Sequence, residues 1–306
     1  YSKLMSSSYV RRSLYNSLTM GAASAAISCA VGFLFAYTVT RTDVPLKGFL
    51  NFMAIVPIVS PPFLGAVSVL LLFGANGLIT SKLFGIYNYP IYGFRGLLFA
   101  QVVTFFPVAY LTLKGVLESI SPTLEDAAMD LGASRLEVFS KVTLPLALPG
   151  IASALLVIFI ESLADFGNPL ILAGSDFPTL SVQAYLQITG MYDLPGGAAL
   201  SVVLLIPSVT AFVVQKYWVD KRKYVTVTGK PTSTAIKSVS KPVKWVLFGV
   251  CMGVVGVVLL FYGVIVAGSF ARLWGIDPSF SMKNYQYVLG VGREAIRDTL
   301  AIAALS

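Results

Sequence analysis

The sequence predicts an all-α fold of the polytopic membrane class, and three observations carry that prediction. Hydrophobic residues make up 56% of the 306 residues and charged residues only 12%, about half the ~25% charged content of soluble domains. Several apolar runs exceed the ~20 residues that a helix needs to cross a bilayer. Lysine and arginine cluster beside those runs, as in cytoplasm-facing loops. That placement accounts for the net charge of +8 without a nucleic-acid partner. There is no histidine, and Cys29 and Cys251 both lie in apolar runs, which argues against a His/Cys metal centre or a disulfide framework.

Six spans follow in order, beginning with 14–39, where Gly21, Ala22, Ala25 and Gly32 allow close helix approach. Arg41 and Lys47 mark a short cytoplasmic turn. The second span, 49–73, holds Pro57, Pro61 and Pro62, which break or kink it because each removes an amide donor and crowds the preceding turn. A hinge and an irregular helix end both remain open there. A tyrosine-rich loop, 74–94, places Tyr87, Tyr89 and Tyr92 at the outer interface. The third span, 96–117, runs inward to Lys114 and Glu118.

The fourth span, 147–173, carries Glu161, Asp165 and Asn168 at i, i+4 and i+7, one stripe of one helix. Ionisable groups at bilayer depth cost several kcal/mol unless they face protein or water. Two readings stay open: a translocation path with oxygen ligands, or a hydrogen-bonded helix interface near the outer boundary. A carboxylate pair would attract a cation and repel an anion. The loop 174–196 includes Leu180–Thr189 as an amphipathic helix on the interface. The fifth span, 197–218, returns inward to the hydrophilic segment 220–244, rich in Lys, Ser and Thr with two prolines, a flexible cytoplasmic connector. Gly249 and Gly253 form a small-xxx-small pair in the sixth span, 245–270, and 271–294 lies outside.

The third and fourth spans are joined by the one long polar-bearing segment between unbroken apolar runs, 121–150. Ser121 before Pro122 starts a helix, the serine oxygen capping free amides and the ring suiting the first helical position. Gly132 stops that helix by taking a left-handed conformation. Ser134 with Glu137 is a capping box, starting a second short helix that Pro145 and Pro149 end. The unit carries Glu125, Asp126, Asp130, Arg135, Glu137 and Lys141, yet Leu124, Ala127, Ala128, Leu131, Leu136 and Phe139 give it an apolar side. A wet loop with an unspent apolar face calls for a partner protein.

The pattern Asp126-Ala127-Ala128, three residues, Gly132, nine residues, then Val142-x-Leu144-Pro145 resembles the EAA loop of binding-protein-dependent ABC transporter permeases. Here the family's usual glutamate aligns with Asp126, and Glu125 stands one position earlier. The resemblance implies a type I-like importer bundle in a bacterial inner membrane. Two short coupling helices would dock on a cytoplasmic ATPase dimer through Glu125, Asp126, Ala127, Ala128, Gly132, Val142, Leu144 and Pro145. An extracytoplasmic binding protein would deliver substrate, and the spans would alternate between outward-facing and inward-facing cavities. ATP and Mg would be bound by the ATPase, since this chain holds no G-x-x-x-x-G-K-[ST] phosphate loop. No cofactor, catalytic site or metal site is expected in the chain itself, and its further surroundings are membrane lipid.

Tyr9 to Ser24 aligns without gaps on Val291 to Ser306, pairing Arg11 with Arg293, Leu18 with Leu300 and Ala22 with Ala304. A repeat of one helical bundle is a known transporter plan. It divides the chain into a first permease unit, 1–219, a linker, 220–244, and the start of a second unit, 245–306, with both ends reading as cut. The stretch from Glu161 through Leu170 further resembles fused permeases of ferric-iron uptake. Carboxylates suit a hard trivalent cation better than a phosphate ester, so ferric iron is the expected substrate. Phosphonate or sugar phosphate is the alternative for the same importer type. An ion-coupled secondary transporter would use Glu161 or Asp165 as a proton site.

Overall fold

The computed structural model describes residues 7–87, 89–219 and 239–305. Most of the predicted linker, 220–238, lies outside the described residues. Contacts divide the chain into two compact units, one drawn from Tyr1–Ala66 and Tyr92–Val258, the other from Val67–Ile91 and Leu259–Ser306. Compactness thus cuts the chain elsewhere than the internal repeat does.

Among the described residues, six helices are long and apolar enough to cross a membrane: Ser8–Arg41, Leu64–Leu83, Phe94–Ser119, Arg135–Ala164, Leu194–Tyr217 and Lys241–Phe270. The first, α1 (Ser8–Arg41), begins earlier than its apolar run. Its polar outer turns serve a neighbouring loop: Arg12 Nη2 donates to the Asp176 carbonyl at 2.6 Å and Asn16 Nδ2 to that of Pro178 at 3.0 Å, while Ser17 Oγ accepts from the Leu180 amide at 2.9 Å. The buried Pro178 carbonyl and Leu180 amide would otherwise lack partners away from water.

The second predicted span is redrawn. A short helix, α2 (Lys47–Ile55), passes into a 3-10 turn, Val56–Val59, and the chain leaves helical geometry before α3 (Leu64–Phe73). Pro57 occupies the start of the 3-10 turn, while Pro61 and Pro62 fall in the gap. Three missing amides in six residues leave too few donors for one continuous helix. The crossing segment, Leu64–Leu83, extends instead into what reads as loop in the sequence, leaving helical geometry at 74–77 and resuming in the π-helical turn Leu78–Leu83.

In the first unit, α1 packs along α4 (Phe94–Ser119). They approach closely at Gly32, where a Cβ would lie 2.5 Å from Ala109 Cβ and 2.7 Å from the Tyr110 amide nitrogen. Phe35, Phe106 and Tyr110 fill the space beside it, with ring centroids 5.6 and 6.2 Å from Phe35. Lipid tails are as apolar as these side chains, so close packing and hydrogen bonds hold such helices together. Asn51 Oδ1 on α2 accepts from Tyr110 Oη and from Lys114 Nζ, tying the short helix to α4.

The helices that follow are α5 (Pro122–Asp130), α6 (Arg135–Val138), α7 (Leu144–Ala164), α8 (Gly167–Leu172), α9 (Leu180–Thr189), α10 (Leu194–Val214) and α11 (Lys241–Phe270). Helix α9 has the predicted bounds but a different setting. Its Leu180 and Ala184 pack with Val10 of α1 and with Leu200 and Val203 of α10, so its apolar face is spent on protein and not on the lipid interface. Asp193 caps α10: the Gly196 amide and the Gln187 side chain both donate to its carboxylate and hold its pKa below the ordinary range. Helix α11 starts at Lys241, inside the segment read as linker, with Pro242 in its first turn and Lys244 paired to Asp43 at 3.0 Å. Taken by itself, the second unit includes an antiparallel pair, β1 (Ala271–Leu273) and β2 (Asp277–Phe280), then α12 (Lys283–Val291) and α13 (Arg293–Leu305). Trp274 Nε1 anchors that hairpin to the Leu71 carbonyl at 3.1 Å.

Candidate functional site

The loop between α4 and α7 forms a helix, a glycine bend and a second helix. Pro122 opens α5, but Ser121 does not cap it: its hydroxyl bonds to that of Thr123 at 2.7 Å. At the other end the Gly132 amide donates to the Met129 carbonyl at 2.9 Å and the Ala133 amide to that of Ala128 at 3.0 Å. These two bonds are a Schellman closure, and they require the left-handed φ of +90° that Gly132 adopts. Ser134 and Glu137 then form a reciprocal capping box at the start of α6, with Lys141 Nζ on Glu137 Oε1 at 2.9 Å.

Contrary to expectation, Pro145 and Pro149 do not end the second helix. It passes through a π-helical turn, Phe139–Thr143, directly into α7. The Leu144 amide reaches back to the Phe139 carbonyl, and this wider turn makes room for the Pro145 ring where a tight α-turn would collide with it. Pro149 lies inside α7, and such breaks are tolerated in spans because neighbours re-satisfy the freed groups. The bend is therefore continuous with the membrane helix.

The predicted contact residues separate into two classes. Asp126, Ala127 and Gly132 are exposed, and Ala128, Val142, Leu144 and Pro145 are partly buried. Glu125 is turned inward and only 1% exposed, which corrects its place on the outer face. Its Oε1 accepts from Arg41 Nε at 3.0 Å and from Thr143 Oγ1 at 2.9 Å. Arg41 Nη2 reaches the carbonyls of Leu117 at 2.8 Å and Ile120 at 3.2 Å. Breaking such a buried pair by removing one partner costs about 3–5 kcal/mol. Facing outward are Leu131, 90% exposed, Leu136, 75%, and Leu124, 45%. Together they leave the bend with an uncovered apolar surface ringed by charge.

The polar stripe of the fourth span is also rearranged. Helix α7 ends at Ala164, Asp165 is extended (φ −62°, ψ 122°), and α8 begins at Gly167. With 21 residues, α7 is about 31 Å long at ~1.5 Å per residue, matching a ~30 Å hydrocarbon core. Asp165 acts as a cap for α8, its Oδ1 accepting the Asn168 amide at 3.2 Å. Its Oδ2 accepts from Gln101 Nε2 at 2.9 Å and Asn168 Nδ2 at 3.0 Å, and Ser162 Oγ donates to Gln101 Oε1 at 2.6 Å. Asp165 and Asn168 are thus brought together, while Glu161 stands apart, exposed and unpaired among the described residues.

Arg41, Thr143 and Gln101 were not singled out as site residues. Gln101 did carry a signal: a lone amide in an otherwise apolar span needs a partner. Thr143 carried none, because its role depends on a carboxylate 18 residues away.

Comparison with known proteins places this geometry. Residues 28–224 match the family model of the binding-protein-dependent transport system inner membrane component. The putative ferric transport system permease protein FbpB 1 of Haemophilus influenzae is 34% identical over 296 residues, 95% of this chain and 46% of that protein. The ferric transport system permease protein FbpB of Actinobacillus pleuropneumoniae is also 34% identical, over 95% of this chain and 43% of its own length. The chain thus spans about half the length of these relatives. Among solved structures, a bacterial alginate ABC transporter in complex with an alginate pentasaccharide-bound periplasmic protein aligns with a TM-score of 0.58. It is 21% identical and is matched over 70% of this chain and 81% of its own, a likeness of fold.

Proposed function

The chain belongs to the family of binding-protein-dependent transport system inner membrane components, and on that premise we propose that it forms the translocation path of an ATP-driven importer for ferric iron. A multi-pass inner-membrane protein is already given by the family and by the six crossing helices. The single observation that supports ATP drive is the outward apolar face of Leu124, Leu131 and Leu136 on a bend that continues into α7. A cytoplasmic ATPase dimer would cover that face, bind ATP and Mg, and perform the hydrolysis. The bend would carry its closure to the spans, and a separate binding protein would present substrate on the opposite side. The repeat-based division into a first unit, linker and second unit belongs to the same proposal.

Iron is favoured by the two ferric relatives and by carboxylate chemistry. Within the path, Glu161 is the group with an uncommitted carboxylate, while Asp165 and Asn168 are held to each other at the helix break. The deciding measurement is substrate-stimulated ATP hydrolysis by the permease reconstituted with its ATPase and binding protein. Ferric iron is expected to stimulate, and phosphonate and sugar phosphate are not. Stimulation by a phosphorylated compound would discard iron, and transport without any ATPase would favour an ion-coupled carrier.

Glu161 and Asp165 should also behave differently on substitution. Glu161→Gln is expected to lower iron transport about tenfold, equivalent to ~1.4 kcal/mol, with normal yield of assembled protein. Asp165→Ala should instead lower the yield, since it strands Gln101 and Asn168 at about 1–3 kcal/mol for each buried unpaired group. Equal transport by wild type and Glu161→Gln would remove Glu161 from the path.

A further inference from the structure

The cytoplasmic ends of three spans meet at one charged pair, and we infer that Arg41 and Glu125 form the joint that carries movement of the coupling bend into the spans, with Arg41 as the positioning residue. The inference rests on the ATP-driven reading above. Glu125 lies in the first turn of α5, the helix that the ATPase would grip. Its Oε1 holds Arg41, the last residue of α1, and Thr143, the residue before α7.

The same guanidinium completes the end of α4. Its Nη2 donates to the carbonyls of Leu117 and Ile120, in the last turn of a helix and just past it, where carbonyls have no intrahelical donor. The planar fork serves the carboxylate with one nitrogen and the carbonyls with another, in fixed relative directions. A lysine ammonium is a single point of charge and cannot hold both sets at those distances.

The pair adds to the covalent link through Ile120 and Ser121 a side-chain tie from the first turn of α5 to the end of α4. With it, a pull on α5 acts on the ends of α1, α4 and α7 together. Burial reinforces this, because Arg41 is 6% and Glu125 1% exposed, and charge contacts shielded from water are stiffer than exposed ones. The outward residues Leu131 and Leu136 would therefore take the force, and the inward Glu125 would pass it on.

The test uses the complete transporter with its ATPase and binding protein, and reads substrate moved per ATP hydrolysed in wild type, Arg41→Lys and Thr143→Val. The expected result is retained assembly and hydrolysis, with the ratio falling roughly fivefold or more in Arg41→Lys and by less in Thr143→Val. A purely structural role would lower the amount of complex and leave the ratio unchanged, which would overturn the inference. If Arg41→Lys does not assemble, Thr143→Val decides, since it removes one hydroxyl bond and keeps the side-chain shape. A wild-type complex that moves no substrate on ATP would overturn the ATP-driven reading and this inference with it. Coupled wild type with unchanged ratios in the assembled variants would overturn the inference alone.

Discussion

Replacing Gly132 by alanine is expected to disable coupling almost as fully as replacing it by valine, while membrane insertion stays normal. Among the described residues nothing lies within 4 Å of where a Cβ would sit at this position, so the penalty does not come from crowding. It comes from the backbone, whose φ of +90° is one that L side chains rarely adopt. Holding a non-glycine residue there costs about 1–3 kcal/mol, a shift of roughly 5–150-fold in the population of the bent form. The two Schellman bonds close only in that form. Asparagine tolerates the left-handed region better than alanine, so Gly132→Asn should keep more activity than Gly132→Ala despite its larger side chain. The readouts are co-purification with the ATPase and transport of iron. Normal coupling in Gly132→Ala, or a loss that grows with side-chain volume, would show that the bend is not held by backbone conformation.

What the sequence discloses about this loop is what depends on near neighbours. The glycine bend and the Ser134–Glu137 box close over three to five residues, so a short pattern suffices to read them. Glu125 was misplaced because its fate is set by Arg41, 84 residues earlier, and no local pattern distinguishes a carboxylate facing a partner from one facing inward. The break at Asp165 is an intermediate case. An aspartate three residues before an amide donor, with Pro169 close behind, is a cap pattern, yet the apolar run around it reads as one uninterrupted helix. The prolines at 57, 61 and 62 were legible as a disruption, but not which side of them would supply the crossing helix. That outcome turns on the chain resuming helical geometry after the break at 74–77, and the π-helical turn Leu78–Leu83 has no simple sequence signature.

Small residues within spans illustrate the same limit and lead to the second large effect. Gly249 and Gly253 have the small-xxx-small spacing, yet among the described residues nothing lies within 4 Å of a Cβ at either. Gly32 also has small residues at that spacing, Ser28 and Ala36, and there the close approach read from the sequence is realised, against Ala109 and the Tyr110 backbone of α4. A backbone nitrogen at 2.7 Å cannot rotate away as a side chain would, so Gly32→Ala must push the two helices apart. Overpacking of this kind costs about 1–3 kcal/mol and sometimes more. The separation would also loosen Phe35 from Phe106 and Tyr110 and strain the Tyr110–Asn51 bond that holds α2. With ~2–4 °C lost per kcal/mol in a chain of this order, Gly32→Ala should lower the apparent Tm in detergent by several degrees. Gly32→Leu should leave little folded protein, whereas Gly249→Ala and Gly253→Ala should change the Tm hardly at all. An unchanged Tm for Gly32→Ala would mean that α1 and α4 part without loss, and the close approach would then not be what holds the bundle.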